Sequence, residues 1–159
     1  MSIILGIDPG TTTTGFAVIK KEWRNIEILE FWIIETIVKS DISLKILDIW
    51  NDLENLIKKY KPDICGIEKL FFLKNLKTWI DVAQARWSIL YILSKYSIPV
   101  LEYTPLQVKS GICGSGSALK KQVQNALKII YKLDSIPTPD DAADALAIAY
   151  ITSLSRRLI

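Results

Sequence analysis

Residues 2–20 read SIILGIDPGTTTTGFAVIK. The run from Ser2 to Ile7 carries no charge and stops at Asp8-Pro9-Gly10. A short apolar run closed by a Pro-Gly turn reads as a strand buried on both faces, the kind found inside α/β sheets. Asp8 then stands at the strand's end. Gly15 to Ile19 and Ile26 to Ile34 read as two further strands, and Lys20 to Asn25 suits a hairpin connection between them.

Beyond these strands the apolar period changes. Leu47, Trp50, Leu53, Ile57 and Tyr60 recur at helical spacing within Asp41 to Tyr60, with Asp41 a candidate N-cap and Pro62 the break. Asp63 to Glu68 reads as a short strand with a carboxylate at its end. The pattern then predicts a helix over about Lys74 to Tyr96, a buried strand over Pro99 to Tyr103 and a Gly/Ser-rich loop over Lys109 to Ser117. A helix over Ala118 to Lys132, a break at Pro137 to Pro139 and a small-residue helix over Asp140 to Leu154 complete it. Three strands followed by alternating helices and strands describe an α/β sheet of mixed direction. With 159 residues and no repeat or linker, one domain over 1–159 is expected.

The chain contains no histidine. That excludes Ser-His-Asp and Cys-His catalysis and His-ligated zinc or iron. Cys65 and Cys113 form no CxxC pair and cannot build a four-thiolate site. Carboxylates, lysines and hydroxyls remain, and carboxylates without imidazole or thiolate suit hard cations such as Mg²⁺ or Mn²⁺. No apolar run approaches the roughly 18 residues that cross a bilayer. The start is not shaped like a signal peptide, so a soluble cytoplasmic protein with no membrane partner is expected.

The charge is unevenly spread. Met1 to Glu68 holds 8 basic and 11 acidic residues, Lys69 to Lys132 holds 10 and 2, and Leu133 to Ile159 holds 2 and 4. A basic middle between acidic ends fits a protein that binds a polyanion, although solvated helix faces explain it equally well.

Four carboxylates draw attention. Asp8 and Glu68 end two strands, the place where open sheets bind ligands. Asp141 and Asp144 are spaced i, i+3 and share one face of the last helix. Brought together, the four would repel one another unless a cation neutralised them. Two divalent ions about 4 Å apart, sharing a carboxylate, would activate a water and stabilise a leaving oxygen without any histidine. Plainer readings exist. Asp8 suits a turn. Thr138-Pro139-Asp140-Asp141 matches a helix start with Thr138 as N-cap and Asp141 closing a capping box. Asp144 resists such treatment, since it lies in a run of Ala, Leu and Ile where an unpaired carboxylate is costly. Asp140 and Asp144 are also i, i+4, so spacing alone does not choose between Asp140 and Asp141.

Taken in order and spacing, "GIDPGTTTTGFAV", "IEKLFFLKN", "QAR", "YTPLQVKSGICGSGSALKKQVQ" and "DDAADALAIA" resemble the RuvC family of Holliday-junction resolvases, from about Ile3 to Tyr150. The first and last motifs occur widely among RNase H-like nucleases; the block from Tyr103 to Gln124 is more specific. The resemblance implies an RNase H-like fold with a mixed five-stranded sheet flanked by helices, and a symmetric homodimer. It implies paired nicking of two like-polarity strands at a four-way DNA junction, with Mg²⁺ or Mn²⁺, two per active site. It implies catalytic, metal-holding roles for Asp8, Glu68, Asp141 and Asp144, and selects Asp141 over Asp140. Lys109 and Lys120 match basic residues near the scissile phosphate, and Phe71 matches an aromatic that touches junction bases. Lys74, Gly114, Ser115, Gly116 and Lys121 complete the DNA-binding set. Phosphate binding by lysines, close backbone approach at glycines and stacking on Phe71 are physically apt for those roles, although Phe71 on its own also suits a core. A branch-migration motor is a partner on the family's account alone. The chain departs from the family at Trp87, after "QAR", and at Ala83, where glycines are usual, and this bears on dimer packing.

Three other functions compete. A phosphate-binding hairpin like that of the actin, Hsp70 and sugar-kinase superfamily resembles GIDPGTTTTG, but two lobes are needed to enclose ATP. A non-catalytic nucleic-acid-binding module leaves Asp144 unexplained. An RNase H-like nuclease for another branched-DNA or hybrid substrate shares the carboxylates and differs in the Lys109 to Lys121 block.

Overall fold

The structure, a computed structural model, describes residues 1–37, 40–70 and 76–155, and at 76–78 the backbone alone. The chain runs β1 (Ser2–Asp8), β2 (Thr13–Glu22), β3 (Asn25–Glu35), α1 (Ile42–Tyr60), β4 (Ile64–Glu68) and α2 (Leu76–Lys95), then β5 (Val100–Tyr103), α3 (Pro105–Cys113), α4 (Lys120–Ile130) and α5 (Asp140–Ser153). The strands form one sheet in the order β3-β2-β1-β4-β5. β2 pairs antiparallel with β1 and β3, whereas β4 pairs parallel with β1 and β5. The expected mixed direction is the observed one, and no described helix is long and apolar enough to cross a membrane.

Side chains alternate across a strand, so residue parity sorts the two cores. Leu5, Ile7, Phe16, Val18, Cys65 and Ile67 pack with Ile49, Leu53 and Ile57 of α1 and Ile89, Ile92 and Leu93 of α2. Ile4, Ala17, Ile19 and Ile64 point the other way, against Leu127 of α4 and Leu146 and Ile148 of α5. α5 lies unusually close to the sheet because glycines floor its path. A Cβ at Gly6 would sit 2.3 Å from the Ala145 carbonyl oxygen, and one at Gly66 would sit 2.0 Å from Thr152 Oγ1. The small-residue character of α5 is the other half of this fit, with Ala142, Ala143, Ala145, Ala147 and Ala149 all fully buried.

Three local expectations need correction. The β2–β3 connection is shorter than Lys20 to Asn25, because Glu22 already pairs with Asn25. Lys109 is not in a loop. It lies on α3, which starts where Thr104 Oγ1 accepts the Gln107 amide at 3.2 Å and Gln107 Oε1 accepts the Thr104 amide at 2.9 Å. That reciprocal cap, with Pro105 in the first turn, was written in Thr-Pro-Leu-Gln. Thr138 does not cap α5. Pro139 holds the N-cap position without a side-chain bond, so the capping-box reading of Asp141 fails.

Candidate active site

Parity also places the acids. Ile4 and Ile64 face α5, so the even-numbered Asp8 and Glu68 emerge on that same side of β1 and β4. Ile7 pairs with Ile67 in the parallel ladder, which makes Asp8 and Glu68 the adjacent ends of neighbouring strands. Across β1, Asp8 pairs with Gly15 of β2. A Cβ on Gly15 would lie 1.9 Å from the Asp141 carbonyl oxygen, so only a glycine lets the first turn of α5 settle beside Asp8. There Asp141 Oδ2 accepts the Thr13 hydroxyl at 2.5 Å. Asp144 follows one turn later. The Lys120 ammonium stands 3.4 Å from Asp144 Oδ2 and 3.2 Å from Asp140 Oδ2. Glu68, Asp144, Lys109 and Lys120 line one cleft of about 230 Å³, walled by Pro105, Val108 and Val123. A larger hollow of about 390 Å³, lined in part by Phe16, Trp32 and Leu56, lies on the opposite face of the sheet from these acids.

The acids feel one another. Burial, then the charges of Glu68, Asp144 and Asp141, push the Asp8 carboxyl up to about 8, with Lys120 pulling the other way. Burial and Asp144 push Glu68 up to about 7, again opposed by Lys120. Burial raises Asp144 as well, although Lys120 relieves it. Burial works against the Lys120 charge, but Asp144 and Asp140 outweigh it and hold the ammonium above its ordinary value. Asp140 stands apart. It is exposed, Lys120 pulls it below the usual carboxylate range, and Gln124 Nε2 donates to it at 2.8 Å.

These residues are an all-oxygen donor set, crowded enough that Asp8 and Glu68 resist ionising together. A hard divalent cation is the group that relieves such crowding, so the residues fit one. As the side chains stand, no three acidic or thiol groups among the described residues close on one point as a metal shell would. Lys120 supplies the positive charge in this arrangement.

A family model described as Crossover junction endodeoxyribonuclease RuvC matches residues 4–152. The chain belongs to the RuvC family. The RuvC of Petrotoga mobilis is 44% identical over 155 residues, covering 98% of this chain and 95% of that one. The RuvC of Ruminiclostridium cellulolyticum is 44% identical over 156 residues, covering 98% and 94%. Among solved structures, Thermus thermophilus RuvC in complex with Holliday junction substrate superposes with a TM-score of 0.92 at 27% identity, over 99% of this chain and 96% of that one. The fold is therefore RNase H-like, and this RuvC-family chain is a nuclease whose chemistry is hydrolysis of a DNA phosphodiester bond.

The remaining expected residues divide. Lys121 is exposed on α4, next to Lys120. Gly114 caps α3 in the left-handed region with φ 74°, so its glycine is explained by the backbone turn alone. Ser115 is exposed and bonds Ser117 through its hydroxyl at 2.9 Å, and Gly116 packs near Leu106. Phe71 and Lys74 lie outside the described residues. Two participants were not singled out from sequence. Thr13 is one of four consecutive threonines, and nothing in that run marks it as the partner of Asp141. Arg86 sits within "QAR"; its Nε donates to the Glu68 carbonyl oxygen at 3.2 Å.

Proposed function

We propose that this RuvC-family nuclease resolves four-way DNA junctions by paired symmetric nicks, acting as a homodimer in the cytoplasm. Asp8, Glu68, Asp141 and Asp144 would hold two Mg²⁺ (or Mn²⁺) ions, in keeping with a divalent-metal-dependent family. The observation that carries this reading is the meeting of Glu68 and Asp144 with Lys109 and Lys120 in one cleft, beside an Asp8 that feels the charges of Glu68, Asp144 and Lys120.

When bound, the ions supply an activated water and neutralise charge on the phosphate. The chain's own residues do the rest. Thr13 fixes Asp141 by its hydroxyl, which occupies one of the two carboxylate oxygens. Lys120 is positioned to exchange Asp144 for a phosphate oxygen, and Lys109 lines the same cleft. Both offset the charge that gathers on the phosphate in the transition state. Lys121 and the backbone of Gly114, Ser115 and Gly116 extend the contact along the DNA. For Phe71 and Lys74 the proposal rests on the family resemblance alone, as does partnership with a branch-migration motor.

The dimer has physical support on the outer face of α1 and α2. Leu44, Leu47, Ile80, Trp87 (71% exposed) and Tyr91 (62% exposed) stand in solvent, and Tyr91 joins the two helices through its ring contact with Trp50 at 5.3 Å. Apolar area of this kind on adjoining helices marks an association surface. Trp87, where the family resemblance leads one to expect glycine, would place a bulky ring in that contact.

The test compares four-way junction, duplex, flap and RNA–DNA hybrid as substrates. Paired nicks at symmetric positions in the junction alone are expected. Equal cutting of flap or hybrid would favour the broader nuclease reading.

A further inference from the structure

Arg86 is a half-buried cation at the edge of the site with a specific geometry. Its side chain is 12% exposed. One terminal nitrogen donates to Glu102 of β5 at 2.7 Å, while Nε donates to the backbone carbonyl of Glu68 at 3.2 Å. The guanidinium therefore ties α2 to the last residues of β4 and β5 at once.

The sheet explains why that carbonyl needs a donor. Alternate residues of β4 face alternate neighbours. The amide of Cys65 donates to Pro99 and that of Lys69 to Tyr103, both on the β5 side. Glu68 therefore faces β1. One step beyond the Ile7–Ile67 pair, the β1 residue due to donate to the Glu68 carbonyl is Pro9, which has no N–H. The turn that presents Asp8 thus deprives Glu68 of its ladder bond at the point where the chain leaves the sheet. Arg86 fills the gap, and its planar fork reaches Glu102 with the same head.

We propose that Arg86 is a positioning residue for Glu68, holding the end of β4 so that the Glu68 carboxylate stays in the cleft, with Glu102 as the anchor of that clamp. The inference rests on Glu68 acting in hydrolysis.

The test uses full-length Arg86→Gln, Arg86→Lys, Glu102→Gln and Glu68→Gln. Readouts are single-turnover nicking of a four-way junction, the Mg²⁺ concentration for half-maximal nicking, the Mg²⁺-induced rise in melting temperature without DNA, and junction affinity in Ca²⁺. Arg86→Gln should slow nicking about 10–100-fold, the usual effect of removing a residue that orients a metal ligand. It should raise the Mg²⁺ requirement several-fold, shrink the Mg²⁺-induced melting shift and leave junction affinity within about twofold. Arg86→Lys should recover part of the rate, since an ammonium can satisfy one partner but not the fork. Glu102→Gln should move the Mg²⁺ requirement in the same direction by less. A normal Mg²⁺ requirement in folded Arg86→Gln would overturn the proposal, as would a loss of junction affinity that accounts for the whole loss of rate. If Arg86→Gln does not fold, an unchanged Mg²⁺ requirement in Glu102→Gln overturns it. Full nicking by Glu68→Gln would instead sink the site itself, whereas a dead Glu68→Gln beside a normal Arg86→Gln sinks only the clamp.

Discussion

Asp8→Asn should stabilise the metal-free protein at pH 8 and leave it unchanged at pH 4. In the fold, Asp8 keeps its proton until about pH 8, against an ordinary 3.8. The unfolded chain restores the ordinary value. A carboxyl that holds its proton more tightly when folded carries no penalty below the unfolded value; the penalty grows as pH rises and is complete above the folded value. The window therefore spans about pH 4 to 8. A rise from 3.8 to about 8, at about 1.36 kcal/mol per unit, caps the penalty at about 6 kcal/mol. Asp8 titrates as part of a set with Glu68 and Asp144, so its neighbours take up part of the proton and the penalty falls well below that cap; about 2 kcal/mol is the expected gain from asparagine, which keeps the shape and drops the charge. For a chain of this length that is about 4–8 °C in melting temperature.

The assay is thermal unfolding of wild type and Asp8→Asn in chelator from pH 4 to 9. The two curves should coincide at the acid end and separate steadily toward pH 8, with the variant higher. Mg²⁺ at 100 times its dissociation constant should then add about 2.7 kcal/mol to wild type and much less to the variant, reversing their order. Parallel pH profiles in chelator, or a variant less stable at pH 8, would mean that Asp8 is an ordinary solvated carboxylate and that the acids do not share a site.

Glu68→Gln should lose at least about 10²-fold in nicking while keeping junction affinity in Ca²⁺, measured by gel shift; retained cleavage would remove it from the mechanism. Asp140→Asn should slow nicking far less than Asp141→Asn, because Asp140 is exposed and engaged by Lys120 and Gln124, whereas Asp141 lies beside Asp8. Gly15→Ala should cost about 1–3 kcal/mol or more by driving a methyl into the Asp141 backbone, and should cut nicking further than the melting temperature alone explains. Trp87→Glu should shift the chain to monomer in sedimentation and convert paired nicks into uncoordinated single ones.

Where the structure places these carboxylates was largely legible in the sequence. The apolar run ending at Asp8 and the shorter one ending at Glu68 each state that a carboxylate terminates a buried strand, and strand parity puts the two on one face once the strands are neighbours. Asp144 betrayed itself by sitting among alanines. The capping-box reading of Asp141 misled because local pattern and tertiary demand used the same residues. Thr138-Pro139-Asp140-Asp141 satisfies every rule for a helix start, yet Asp141 is claimed by Thr13, a partner far away in sequence. α3 was missed for the opposite reason. Its cap is fully local, but the glycines at 111, 114 and 116 suggested a loop, whereas Gly111 lies inside the helix and the helix ends only at Gly114.

What the chain could not announce is distance. The acids are costly together, and nothing in a list of carboxylates says that they are forced together. That comes from glycines with no chemistry of their own. Gly15 admits the Asp141 backbone, Gly6 admits Ala145 and Gly66 admits Thr152. α5 is thereby pressed onto β2, β1 and β4 along a line that starts beside Asp8. A methyl group at Gly15 would collide with the Asp141 backbone and force the first turn of the helix off the sheet. The fold instead holds Asp8 and Glu68 at proton affinities well above their ordinary values. Close packing on the far reach of α5, buried and apolar, offsets repulsion at its first turn. Core and site are thus one piece of construction: the sheet glycines that let α5 pack also set how closely the carboxylates crowd.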